Sequence, residues 1–145
     1  LLIIMSLRKI AQIGTEYLII ISFVTFVVLS VLGIALLYSS QIQDTIKFNQ
    51  LEKFSSKVTS SAESVFYSGA PAKITITAYL PDGITQIRIQ DKSLIFNVST
   101  SNGQSVVAYN SKVALNSSSS ISTSSGVKKI LLTAQDADVL IQAVP

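Results

Sequence analysis

The first third of the chain is hydrophobic without a period, and the remainder is hydrophobic with two different ones. Residues 17–43 carry no charge, and residues 17–38 (YLIIISFVTFVVLSVLGIALLY) are almost wholly apolar. Ser22, Thr25, Ser30 and Gly33 are too scattered to form a polar stripe, so a helix built from this run must be covered on every side. Many of its residues are β-branched, but strands longer than about ten residues are rare and need hydrogen-bonded neighbours on both edges, whereas a helix satisfies its own backbone. Beyond Tyr38, apolar residues recur at Leu51, Phe54, Val58, Ala62 and Val65, with Glu52, Lys53, Lys57, Ser60 and Glu63 between them. Steps of three and four mark one buried helix face. No Pro or Gly interrupts residues 34–68, and Gly69 followed by Pro71 is a stop signal. The pattern predicts one helix from about Gln12 to Tyr67, about 56 residues and roughly 84 Å long.

After the stop the period becomes two. Residues 73–80 (KITITAYL) alternate strictly, and Pro81-Asp82-Gly83 supplies turn chemistry, Pro fixing φ and Gly accepting the left-handed region, so a hairpin is expected there. Residues 84–90, 94–99, 104–109, 113–115, 127–134 and 139–142 read as further short strands; Asp91-Lys92-Ser93, Asn102-Gly103 and Asp136-Ala137-Asp138 separate several of them. The expected class is α+β: a long N-terminal hydrophobic α-helix followed by a small antiparallel β-sandwich or barrel head. The helix, 12–68, divides into a membrane or filament-core half, 12–43, and an amphipathic half, 44–68, that packs on a β-rich head at 72–145. A head of about 74 residues has a marginal core of its own, so the amphipathic half is expected to complete it. Residues 116–125 (NSSSSISTSS) are of low complexity and read as a mobile surface loop.

Composition sharpens the picture. Charged residues are 13% of the chain, against an average near 25%. With 48% hydrophobic residues and a mean hydropathy of +0.52, the chain needs more cover than its own core provides. It has no His and no Cys, which removes imidazole chemistry, thiol nucleophiles, Cys/His zinc sites and disulfides. No G-x-S-x-G occurs, so no enzyme activity and no cofactor are expected. Asp136 and Asp138 fall far short of the 6–8 oxygen ligands calcium takes, and read as turn residues. Arg8 and Lys9 are two of the eleven basic residues; from Gln12 onward nine stand against eight acidic ones, so the pI of 9.2 does not indicate nucleic acid. By the positive-inside rule the same two cations hold the amino end in the cytoplasm and send the head outside. No small-residue cleavage site closely follows the apolar run, Ala35 being succeeded by Leu36, Leu37 and Tyr38.

Arg8-Lys9-Ile10-Ala11 followed by Gln12-Ile13-Gly14-Thr15-Glu16-Tyr17-Leu18-Ile19 resembles the class III signal peptide of archaeal type IV pilins. In that family a basic leader precedes a Q-x-x-x-E-[YF] start and a long apolar helix. The resemblance implies a leader at 1–11, with Met5 as its expected initiator, cut on the cytoplasmic side by a membrane prepilin peptidase between Ala11 and Gln12. Ala11 departs from the Gly that many relatives carry there, but keeps a small residue. The resemblance further implies a structural subunit of a surface filament. Its partners would be copies of itself in a homopolymeric helical filament, the prepilin peptidase and pilus assembly machinery, and the membrane before assembly. Glu16 would pair with the new α-amine of Gln12 on another subunit, beside Tyr17, and so set the register of the polymer. A plainer role for Glu16 is to favour the helix N-terminus, worth roughly 0.3–1 kcal/mol.

Two alternatives stand beside the filament subunit: a single-pass membrane-anchored extracytoplasmic binding domain, and a minor pilin that primes or tips filaments. Asn97-Val98-Ser99 and Asn116-Ser117-Ser118 are N-x-[ST] acceptors for glycosylation. Asn116 falls in an expected loop and is the better candidate; Asn97 falls inside an expected strand.

Overall fold

The computed structural model describes the backbone over residues 2–144 and the side chains over residues 14–144. Helix α1 (Leu2–Ser68) is continuous. It starts ahead of the expected Gln12, because Leu7, Arg8, Lys9, Ala11 and Gln12 are all good helix formers and no Pro or Gly separates them from one another. Its end falls where the stop signal placed it. Gly69 adopts φ 81°, a left-handed conformation that a residue with a Cβ reaches only under strain. The Gly69 amide donates to the Phe66 carbonyl at 3.0 Å, closing the last turn.

Two compact units divide the chain, Leu1–Gln41 and Ile42–Pro145. The described residues of the first belong to helix α1. The second holds the rest of α1 and seven strands: β1 (Lys73–Leu80), β2 (Ile84–Gln90), β3 (Ser93–Thr100), β4 (Gly103–Asn110), β5 (Leu115–Ser117), β6 (Gly126–Ala134) and β7 (Val139–Val144). They form a four-stranded sheet in the order β1-β6-β7-β5 and a three-stranded sheet in the order β2-β3-β4. The layout is α+β, as the periods predicted.

One hydrophobic cluster unites both sheets with the amphipathic part of the helix. Leu51, Phe54, Val58, Ala62 and Val65, the positions singled out by their spacing, are all buried. The ring of Phe54 meets Phe96 of β3 edge-on, with centroids 6.1 Å apart, and Phe96 in turn meets Tyr109 of β4 at 6.0 Å. Leu94, Phe96 and Val98 alternate inward along β3, and Ile130, Leu132 and Ala134 do so along β6. Ser55 lies within this core with its hydroxyl buried and without a hydrogen-bond partner.

Three details differ from the sequence expectation. The strand expected at 113–115 forms two residues later, at Leu115–Ser117. Its start is fixed by contacts to the β2–β3 turn: the Ser111 amide donates to the Lys92 carbonyl and the Leu115 amide to the Asp91 carbonyl, each at 2.7 Å. That strand is also parallel to its neighbour β7, whereas every other pairing is antiparallel. The chain arrives in β5 from the other sheet, so no hairpin dictates its direction. Finally, the serine-rich stretch lies on the surface as expected, but it is tied to the second unit at Ser119 and Ile121. It begins inside β5, buries Ile121, and accepts the Ala143 amide of β7 on Ser119 Oγ at 3.2 Å. It must pass β7 to carry the chain from β5 to β6, and those contacts are made on the way.

Candidate functional site

The largest uncovered feature is the apolar surface of helix α1. Between residues 17 and 38 the large apolar side chains are exposed on every side, from 42% at Val27 to 72% at Leu37. Among the described residues this is one helix long and apolar enough to cross a membrane, near the N-terminus. Tyr17 and Tyr38 frame the run. Their separation of 21 positions corresponds to about 32 Å of helix, close to the roughly 30 Å of bilayer hydrocarbon, and tyrosine favours the edges of that layer. Ser30 hides its polarity by donating Oγ to the Phe26 carbonyl at 2.8 Å. Ser22, Thr25 and Gly33 keep parts of the surface low, and Gly33 has open space where a Cβ would stand.

Of the residues named for assembly, Glu16 and Tyr17 lie exposed on this helix, adjoining the apolar run. The side chains of Ala11 and Gln12, the expected cleavage pair, lie outside the described residues. Asn116 is exposed on β5, with Nδ2 donating to Asp138 Oδ2 at 3.2 Å and Oδ1 accepting the Ser117 amide at 2.8 Å. Asn97 is half-buried on β3, the central strand of its sheet, with Nδ2 donating to Gln86 Oε1 at 3.4 Å. The two acceptor sites therefore differ in access, although Asn116 lies on a short strand and not in the loop its context suggested.

The second unit adds a polar fastening that the sequence analysis missed. Asp44 Oδ2 accepts both the backbone amide and the hydroxyl of Ser101, in the turn between β3 and β4. The Ser101 hydroxyl, then its amide, then Lys47 hold the Asp44 carboxyl below its ordinary value. Nearby, the Lys47 ammonium lies against Gly83 of the β1–β2 turn, 3.4 Å from where a Cβ would be. The β3–β4 hairpin turn and the β1–β2 turn, which joins the two sheets and does not close the hairpin its sequence predicts, thus meet the helix within one helical turn of each other. On the β4 side the Tyr109 hydroxyl is pushed up by burial, with the Glu52 carboxylate acting in the same direction. Glu63 accepts the Lys112 amide at 3.1 Å and pairs with its ammonium at 3.8 Å.

Among the described residues no three His, Cys, Asp or Glu side chains gather as a metal site would require. Asp136 and Asp138 lie in the β6–β7 turn, which the Gln135 amide closes on the Asp138 carbonyl at 2.8 Å. No protein-family model, curated protein or solved structure matches this chain.

Proposed function

We propose that this chain is a structural subunit of a surface filament of the archaeal type IV pilin kind, polymerising through the apolar half of helix α1. The observation that carries this reading is the exposure of residues 17–38 on all sides of the helix while the second unit has a complete core without them. A surface of that size is unstable in water and takes cover in lipid or in protein. Lipid covers it while the subunit waits in the membrane. Copies of the same helix cover it in the filament, where close packing and dispersion replace contacts with acyl chains.

The sequence supports the second cover as well as the first. Arg8 and Lys9 would orient a permanent anchor equally well, but their combination with the small-residue Ala11-Gln12 junction and Glu16 is the pattern of a helix that is processed, released and registered against its neighbours. Glu16 adjoins the apolar run, where opposite charge on another subunit, the new α-amine of its Gln12, selects both the partner and the register. The β-rich second unit forms the exterior, with Asn116 as its glycan acceptor.

N-terminal sequencing of protein from sheared surface filaments tests this. A start at Gln12 is expected. Filaments whose subunits retain Arg8 and Lys9 reject processing, and absence of the chain from filaments, with the protein monomeric once freed from detergent, rejects the polymer in favour of an anchored binding domain.

A further inference from the structure

Helix α1 and strand β1 border a cleft in the second unit. Lys53, Lys57, Thr77 and Tyr79 line it and the buried Phe54 ring forms its floor. Through Gln50 and Tyr79 it continues into a second cleft toward Lys47 and Asp82. Strand β1 is the edge of its sheet, so among the described residues no further strand closes the cleft from that side. Lys53 and Lys57 stand one helical turn apart, both exposed, and neither has an ion-pair partner among the described residues. The first cleft contains no carboxylate of its own. It is a short apolar trough with two cations on its rim.

The complementary shape and charge occur elsewhere on the same unit. The β6–β7 turn carries Asp136 and Asp138 beside Ala70, just past the end of helix α1. Asp136 is exposed and makes no side-chain hydrogen bond among the described residues, while Asp138 spends one oxygen on Asn116. Ala137 between them is small and exposed, so the tip is narrow. Cleft and tip are displaced along the helix direction: Lys57 precedes the helix end at Ser68 by 11 residues, about 16 Å.

We propose that the Asp136 turn of one copy docks in the Lys53–Lys57 cleft of the next. This deepens the filament reading and rests on it. The two patches are different surfaces of one chain, so the contact is head-to-tail, the kind of contact from which an open helical polymer is built. The displacement demands neighbours staggered along the filament, because unstaggered copies would set the tip beyond the cleft. Exposed ion pairs contribute little affinity singly, but opposite charge on the two patches selects orientation and register while the apolar helices supply cohesion.

The chain has no cysteine, which makes thiol crosslinking a direct test. Lys57→Cys combined with Asp136→Cys, in filaments sheared from cells that assemble the full chain, is expected to give a ladder of multimers with a short thiol-specific crosslinker. Either single variant should give none. As a second measurement, Lys53→Glu with Lys57→Glu should lower filament yield about tenfold, and adding Asp136→Lys with Asp138→Lys should restore it. Intact filaments of the double-cysteine chain without a ladder, or a charge exchange that restores nothing, overturn the docking and leave the filament reading standing. A chain that never enters filaments overturns both.

Discussion

Asp44 and Ser101, 57 residues apart in sequence, are joined by two hydrogen bonds onto one carboxylate oxygen. Asp44 is also the first charge after the uncharged stretch of residues 17–43. The contact holds the β3–β4 turn to the helix at the point where its surface changes from apolar to mixed.

That contact predicts an acid limb in stability. The Asp44 carboxyl is held below its ordinary 3.8 in the folded chain, so its contribution is present above 3.8 and is lost as pH falls through the lower folded value. Asp44→Asn should lower the denaturation midpoint of the detergent-solubilised chain at pH 6, and the gap to wild type should close below about pH 4. A gap that persists at pH 2 would refute the ionic role.

The two halves of helix α1 should respond oppositely to truncation. Leu51→Ala removes a fully buried side chain and should destabilise the second unit by about 2–5 kcal/mol in a urea titration. Leu29→Ala removes an exposed one, and should leave the same unfolding transition within about 0.5 kcal/mol. Equal effects would mean that the apolar run packs on the head.

Ser55 offers a gain. Its buried hydroxyl lacks a partner, so Ser55→Ala removes the desolvation penalty and improves helix propensity. Stabilisation of about 1–2 kcal/mol is expected by thermal or urea unfolding. A loss of stability would reveal a hydrogen bond to this hydroxyl.

Glu16→Gln should reduce sheared filaments by about tenfold, the equivalent of about 1.4 kcal/mol per contact, while membrane insertion of the precursor stays unchanged. Quantitative blotting of sheared and membrane fractions separates the two. Normal filament yield from Glu16→Gln would return this residue to a helix-terminus role.

A glycan on the mature chain should sit at Asn116 and not at Asn97, because the first is exposed on a short edge strand and the second is half-buried at the centre of a sheet. Intact mass should fall on Asn116→Gln and not on Asn97→Gln. A mass equal to the bare polypeptide in the unaltered chain discards modification at either site.

The apolar run, the amphipathic face and the strict alternation of β1 were legible because each is a local pattern: burial of one face imposes 3.6 or 2 on the sequence itself, and exposure to cover on all sides imposes no polar stripe at all. Lys53 and Lys57 looked like ordinary solvated positions on helix α1. Their position on the rim of a cleft became visible once β1 was seen to lie alongside.

The sequence alone determined that a long helix, apolar on every side of its first half, precedes a β-rich unit, and which five apolar residues of its second half are buried. Tertiary structure decided the sheet order, the parallel pairing of β5 with β7, the anchoring of the serine-rich stretch by Ile121 and Ser119, and the Asp44–Ser101 fastening. Periodicity records whether a side chain faces a core. It does not record which distant backbone supplies the other half of a hydrogen bond, and that depends on where the whole chain brings its strands together.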